Sequence, residues 1–574
     1  MYSNSIMRED VMTAAEVIIN SLEKHGVEYV FGVPGGAIEP LNCALHKSAI
    51  KVIVAKHEEG AAFMADGYAR VSGNLGVCCS TSGPGATNMI TGLSSSNADS
   101  IPVIALTGQI ATSVFGKGAV QEFTTHTFGI VSIFRQVTKY SDIVINETKA
   151  GEMIAKARRL ALGGRRGPVH LNLPTDIMRR KVVEAPEKCS VTSIAGFDRG
   201  GVKSAAQLLL NAKKPVIVAG WGTVLSRADV ELRELAELVD IPVATSPKAK
   251  GILDESHPLS LGVLGFAGAA AAHEYIIKND VDVMLGVGTS FNEWITSGWD
   301  KRLLPKQALI QIDIDCDEIG KNFFVDVGIP GDSKHVMREL IYELHRQMKN
   351  GATVGEGRSR EVASIKNKLT VKRKKMDGLP YSPQRLMIDL VASLPKDTIY
   401  FADNGNSLAW SIRYITVTVP YSFYIGLGFA SMGFATAASV GGKLAAGDRP
   451  VVALVGDGSF LMNGMEIATA VEYNIPVIWV IMNNSMLGMV YHGRKLMQNP
   501  EGGMKSHFKT VDFVKVAEGL GARGIRITKP GEINREMMDE IIAAGVPTVL
   551  DVIIDPEEVP PMHSRTASLE KLYT

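Results

Sequence analysis

Few cysteines, no net charge and no long apolar run set the first bounds on this chain. Its five cysteines, Cys43, Cys78, Cys79, Cys189 and Cys316, show no metal-type spacing, and their odd number argues against a disulfide framework. A reducing, cytoplasmic setting is expected. The 60 Lys and Arg are balanced by 60 Asp and Glu, leaving no overall basic footprint for nucleic acid and no broad field for steering anions. Any affinity for phosphate has to be local. Arg8, Glu9 and Asp10 interrupt the apolar residues near the start, so no secretory h-region forms, and no later run nears the roughly 18 apolar residues of a membrane helix. The expected partners are small molecules, with no nucleic acid and no membrane.

What the chain has is length, glycine and alternating patterns. At 574 residues it exceeds what one hydrophobic core organises, and 46% hydrophobic content with 57 Gly describes an α/β protein rich in tight turns. Residues 1–183 alternate helix-like segments (TAAEVIINSLEKHG) with strand-like ones (YVFGVPG, KVIVAKH, GVCCSTSG, PVIALTG, PVHLNLP), which predicts a first domain on a mostly parallel sheet. The polar stretch Glu184 to Arg199 reads as a linker. A second domain at 200–345 carries PVIVAGWG, PVATSP, VDVMLGVG and LIQIDID. From Met348 to Pro380 the chain is charged and poor in apolar residues. That stretch, with its cluster Lys372, Arg373, Lys374 and Lys375, reads as a solvated linker helix. A third domain is expected at 381–555. The fold class is α/β, with three doubly wound parallel-sheet domains.

The third domain holds the clearest chemical signal. The apolar run 451–456 reads as a buried strand ending in Gly456-Asp457-Gly458, followed by Ser459; a helix-like stretch from Gly464 to Tyr473 leads to a second buried strand, Pro476 to Met482, ending in Asn483-Asn484. One βαβ crossover returns both polar ends to the carboxyl edge of the sheet, where open α/β sheets bind ligands. The Asp457 carboxylate and the Asn484 amide oxygen are hard donors of the kind Mg²⁺ takes alongside phosphate and water. Asp-Gly alone is an ordinary turn pair; the Asn pair at this distance is what makes it a motif.

The pattern resembles the diphosphate-binding motif of thiamine diphosphate enzymes, and a second motif near the front supports it: KHEEGAAFMADGYARVSG (56–73) followed by CCSTSGPGATNMITGL (78–93). The resemblance implies that Asp457, Asn484 and the backbone carbonyl of Met486 hold Mg²⁺ on the diphosphate, and that Glu58 faces N1′ of the aminopyrimidine. Glu59 beside it is expected to be solvated.

Within that superfamily, VEYVFGVPGGAIEPL (27–41), QEFTTHTFGIV (121–131), HPLSLGVLG (257–265), QIDIDCDEIGKN (311–322) and GLGFASMGFATAAS (426–439) resemble the acetohydroxyacid synthase, or acetolactate synthase, branch. The resemblance implies a carboligase, a transferase that decarboxylates pyruvate and joins the two-carbon unit to a second 2-keto acid, as in branched-chain amino acid biosynthesis. It implies Met432 as the wedge between the cofactor rings. It also places Gln121 and the backbone near Gly35 and Gly36 beside the reacting carbons; the glycine pair reads equally as a turn with φ > 0. A loop from Leu487 to about His507, with Gly488, Gly493, Gly502 and Gly503, should close over the site. The family further implies a homodimer or homotetramer with the active site between subunits, and leaves a separate regulatory subunit open. Two departures stand out. Gly493 occupies the position where biosynthetic members carry Trp, and GVGTSFNEWITSG (286–298) lacks the arginines that meet FAD, although Arg165 and the Gly-Trp-Gly at 220–222 keep FAD under consideration. A pyruvate oxidase-type flavoenzyme and a carboligase using another aldehyde or ketone are the alternatives.

Overall fold

A computed structural model describes residues 11–124, 129–183, 196–278, 280–349, 357–369, 377–497 and 505–562. Cys189, the Lys372–Lys375 cluster and the loop glycines Gly502 and Gly503 lie outside the described residues. The chain divides into two compact units, residues 1–193 with 426–447 and 463–475, and residues 194–425 with 448–462 and 476–574.

The first unit is built on a six-stranded parallel sheet, in spatial order Lys51–Val54, Tyr29–Gly32, Gly76–Ser80, Val103–Gln109, Val169–Pro174, Tyr140–Ile143. Numbered along the chain, its strands run 2-1-3-4-6-5. Both faces are covered, so the central strands are buried over their whole length and read as continuous apolar runs rather than alternating ones. A short antiparallel pair, Val11–Thr13 with Lys181–Val183, ties the ends of this region together. The helix-like segment TAAEVIINSLEKHG is helical over Ala14–Lys24, with Thr13 as its N-cap in a capping box in which Thr13 and Glu16 satisfy each other's backbone.

One helix of this unit, Glu58–Ser72, is buried along nearly its full length and packs on Phe434–Ala446 through backbone-to-backbone contact. A Cβ at Gly67 would lie 1.9 Å from Ala438 O, and one at Gly441 would lie 1.9 Å from Met64 O. Its polar residues are correspondingly paired. Arg70 bonds both Asp66 and Asp99, all with fully buried side chains, while Ser96 also donates to Asp66 and the guanidinium lies 4.9 Å from the Phe434 ring.

The second unit carries two sheets. The middle one runs Ser260–Val263, Val243–Thr245, Pro215–Ala219, Val283–Val287, Ala308–Asp313, Val327–Pro330, or 3-2-1-4-5-6 along the chain. The other runs Phe423–Ile425, Ile399–Ala402, Val451–Gly456, Val477–Asn483, Thr548–Ile553, Arg523–Ile527. In chain order this is again 2-1-3-4-6-5, the winding of the first unit.

Residues 357–369 correct the expectation of a solvated linker. The helix Arg358–Leu369 buries Val362 and Ile365 in the core around the middle sheet, and the Arg358 guanidinium donates to the carbonyls of Val239 and Ala212. Its overall polarity concealed a two-residue apolar stripe at helical spacing. Among the described residues no helix is long and apolar enough to cross a membrane.

Candidate functional site

In the first unit the candidate residues gather at the carboxyl edge of the sheet, where the strand order reverses between Tyr29–Gly32 and Gly76–Ser80. This is where doubly wound sheets place ligands. The turn Thr81-Ser82-Gly83-Pro84-Gly85 is the meeting point. A Cβ on Gly35 would lie 2.6 Å from Thr81 Cβ, one on Gly83 3.2 Å from Gln121 Cβ, and one on Gly85 3.0 Å from Glu58 Oε1. Glu58, Gly35 and Gln121 therefore share one neighbourhood, built on glycines that admit nothing larger.

Gly35 and Gly36 do not form the positive-φ turn that the sequence allowed. Gly35 is extended at φ −175°, and its smallness serves the approach to Thr81; Gly36 opens the 3₁₀ turn Gly36–Ile38, with open space around it. Gln121, by contrast, is in the left-handed region at φ +59°. Its neighbour Glu122 imposes that geometry by accepting the backbone N–H of Gly116 and Gly118 and the hydroxyl of Thr124, and the first of these bonds chiefly holds its carboxyl below the usual range. Gln121 stays exposed above the loop that Glu122 shapes.

Glu58 is the first residue of its helix, capped by His57, whose Nδ1 accepts the Glu59 N–H. The carboxyl is buried and accepts 2.9 Å from Asn88 Nδ2. Asn88 closes the motif STSGPGATN, yet its role was not read from the sequence. Glu59 is not solvated as expected: it is half-buried, and desolvation raises its pKa. The buried hydroxyls of Thr81 and Ser82 have no hydrogen-bond partner in this structure, which is what a site shaped for a polar ligand leaves behind. Met432, partly exposed, stands on a turn with two positive-φ residues, Ala430 and Gly433, anchored by the Gly428 N–H on Asp99 Oδ1.

In the second unit Asp457 is not in a turn but heads the helix Asp457–Asn463, directly after the strand that ends at Gly456. Its carboxylate is 1% exposed. Oδ1 accepts the Gly458 N–H at 2.7 Å, and Oδ2 accepts those of Asn484 at 3.0 Å and Ser485 at 2.6 Å. Burial outweighs these bonds and pushes the Asp457 pKa up to about 6. The two asparagines divide their work. Asn483 is a latch, donating to Asp551 and to the Val511 carbonyl, while Asn484 stays half-exposed at the strand end. Ser459 donates to the Asn404 carbonyl at 3.0 Å, joining the loops after Ile399–Ala402 and Val451–Gly456, and Met486 is buried next to the site. Gly456 has open space where a side chain would be. Among the described residues no group of three His, Cys, Asp or Glu could hold a metal, so a cation at Asp457 would rely on amide and carbonyl oxygens as well.

His492 and Asn406 were not singled out from sequence. His492 is buried, with Nε2 3.0 Å from the Pro556 carbonyl and Nδ1 2.8 Å from Asn406 Nδ2; the first contact makes Nε2 the donor and Nδ1 the acceptor. A Cβ on Gly488 would lie 2.5 Å from Asn406 Nδ2 and 3.3 Å from Asn484 Nδ2, so this pair borders the Asn484 loop.

Comparison with known proteins agrees with the two motifs. Residues 12–128 match the family described as "Thiamine pyrophosphate enzyme, N-terminal TPP binding domain", residues 202–340 its central domain, and residues 403–552 its C-terminal TPP binding domain. The chain is similar to the "Probable acetolactate synthase large subunit" of Methanocaldococcus jannaschii, 39% identical with 96% of this chain and 93% of the relative covered. A protein of the same description from Methanococcus aeolicus is 36% identical over 96% and 94% of the two chains. The "Acetolactate synthase large subunit" of Haemophilus influenzae is 32% identical over 98% of each. The chain belongs to the thiamine pyrophosphate enzymes and, among them, to the acetolactate synthase family.

Proposed function

We propose that this chain is a thiamine diphosphate-dependent acetolactate synthase, a transferase that makes 2-acetolactate from two molecules of pyruvate. The observation that carries this reading is the setting of Glu58: a buried carboxyl at a helix start, oriented by Asn88, in a loop neighbourhood with orphaned hydroxyls. Bound thiamine diphosphate supplies the nucleophilic carbon and the electron sink through which pyruvate loses CO₂ and its two-carbon unit passes to a second 2-keto acid. Glu58 Oε1 holds the proton shared with N1′, and Asn88 keeps that carboxyl from rotating away. Gln121 offers its amide N–H to the carbonyl oxygen of the acceptor acid. Asp457, Asn484 and the Met486 carbonyl would hold Mg²⁺ against the diphosphate, with Gly456 leaving room for phosphate oxygens, the Gly458 N–H bonded to Asp457 Oδ1 and Ser459 fixing the adjoining loop. Met432 would fill the angle of the bent cofactor.

At the reversal point of the middle sheet the Gly220 N–H donates to Val287 O and the Gly222 N–H to Gly288 O, so these two glycines offer no free backbone donor to a flavin phosphate. Arg165 bonds Ser100 Oγ through Nε. The reaction is redox-neutral, and no step is assigned to FAD.

Relatives carry the name "large subunit", which supports a regulatory partner, and the family arrangement supports a homodimer or homotetramer as the working form. A cytoplasmic protein accords with the free cysteines Cys43, Cys78, Cys79 and Cys316. The test is direct: incubate purified chain with thiamine diphosphate, Mg²⁺ and pyruvate, with and without FAD, 2-ketobutyrate or simple aldehydes, and identify products by mass. Acetolactate formed without added FAD is expected; acetyl phosphate or peroxide would mean an oxidase.

A further inference from the structure

The carboxylate of Glu466 is a buried ionisable group that the mechanism above does not use. It is 1% exposed, lies outside the motif residues assigned so far, and belongs to the same unit as Glu58. After the strand Lys51–Val54 the Ala55 N–H still finds the sheet, at Gly32 O, but the next two backbone donors have left it. Both go to Glu466: Lys56 N–H at 3.1 and 3.2 Å from its two oxygens, and His57 N–H at 3.0 Å from Oε1. The following residue is Glu58. Thr469 Oγ1 donates to Glu466 Oε2 at 2.7 Å and so fixes the carboxylate, and Tyr473 Oη accepts the Val54 N–H at 3.0 Å. Glu466, Thr469 and Tyr473 are spaced i, i+3 and i+7, one face of a helix, and together they hold the segment Val54–His57. The fit leaves no slack, because a Cβ on Gly60 would lie 2.1 Å from Glu466 Oε1.

A buried carboxylate is costly unless its lone pairs are filled, and here the donors that fill them are the backbone groups leading into Glu58. Burial raises the Glu466 pKa, yet those N–H groups demand an acceptor-only partner. We infer that Glu466 is a positioning residue for Glu58, setting where the first turn of its helix begins and hence where the Glu58 carboxyl meets the cofactor. The inference rests on the assignment of Glu58 above. Glu466→Gln is nearly isosteric but turns two acceptor oxygens into one acceptor and one donor, so a donor then faces the Lys56 or His57 N–H.

The experiment uses the full chain. In the cofactor-free protein, amide hydrogen exchange of peptides covering 54–60 should be about tenfold faster in Glu466→Gln than in the unaltered chain. At saturating thiamine diphosphate and Mg²⁺, exchange of the C2 proton should slow by about tenfold, the scale of a misplaced catalytic group, with KM for pyruvate within about twofold. Glu58→Gln should slow it by at least about a hundredfold, and the double variant should be no slower than Glu58→Gln alone. Wild-type C2 exchange in Glu466→Gln at equal cofactor occupancy, or additive losses in the double variant, would overturn the inference. If Glu466→Gln does not accumulate folded, Thr469→Val keeps the carboxylate but frees its rotamer, and the same two exchange rates decide. A normal rate in Glu58→Gln would instead remove the functional assignment and this inference with it, while the amide-exchange arm would still report whether Glu466 holds the loop.

Discussion

Asp457 Oδ2 and the backbone N–H of Ser485 lie 2.6 Å apart, and Ser485 reaches that position in the left-handed region at φ +57°. This single strained residue turns the chain after the Asn pair so that successive N–H groups, of Asn484 and Ser485, point at one carboxylate oxygen. A β-branched residue there costs about 1–2 kcal/mol. Ser485→Val is therefore expected to weaken thiamine diphosphate and Mg²⁺ binding by about tenfold, Ser485→Gly to preserve it, and Asp457→Ala to abolish it. Cofactor titration followed by tryptophan fluorescence separates the three.

Gly85 lies so close to Glu58 that it has no room for a methyl group. Gly85→Ala should place its Cβ 3.0 Å from Glu58 Oε1 and 2.9 Å from Thr81 Cγ2, forcing the carboxyl aside. Turnover should fall by about tenfold or more with cofactor affinity nearly unchanged, because the displaced group acts on a proton rather than on binding. Steady-state kinetics at saturating cofactor is the check, and a parallel loss of affinity would contradict it.

His170 gives a prediction for acid. It is fully buried between Thr107 Oγ1 and Ser141 Oγ, each 2.7 Å away, with the Phe134 ring at 3.9 Å, and burial lowers its pKa from 6.5 to about 3. Its folded pKa is below its unfolded one, so the unfolded chain binds the extra proton. Stability from this group is complete above pH 6.5 and falls as pH drops toward 3, at up to about 1.4 kcal/mol per pH unit. Urea midpoints measured at about pH 7.5, 6 and 5 should decline below the upper value, and His170→Gln, though weaker at neutral pH, should decline less steeply over the same interval.

Gly493 sits in the helix Gly488–Leu496, and the nearest atom to a Cβ built there is Met562 Cε at 3.9 Å. Space at this position should leave acceptor choice broad. Gly493→Trp is expected to raise the preference for 2-ketobutyrate over pyruvate as acceptor by about tenfold, the scale that one apolar contact surface commands; competition between the two acids, with both products quantified, measures it.

The buried parallel strands were legible because burial on both faces makes them continuous apolar runs. Among the strands that escaped, Tyr140–Ile143 lies at a sheet edge, Ser260–Val263 inside a stretch noticed only as a motif, and Val11–Thr13 is three residues long, while the buried Ile399–Ala402 and Thr548–Ile553 lie in a domain where only the two motif-bearing strands were read. Asp457 and Asn484 could be found because a crossover dictates their spacing. Asn88 and Glu466 could not be ranked, since what each does depends on which backbone or side-chain atom lies opposite, and only folding decides that. Gly35 shows the same limit from the other side: the sequence marked a special glycine, but the reason turned out to be Thr81 rather than a turn.

The first sheet and the sheet holding Val451–Gly456 are one winding used twice. In each, the loops after the first and third strands stand at the reversal point, yet they are furnished oppositely, with hydroxyls and glycines after Ser80 and a buried acid after Gly456. The two windings share a strand order and differ at their reversal points, so the division of labour between them is written in a handful of loop residues. Exchanging those loops between the two windings, strand for strand, would be the most economical way to ask how little of this chain its chemistry needs.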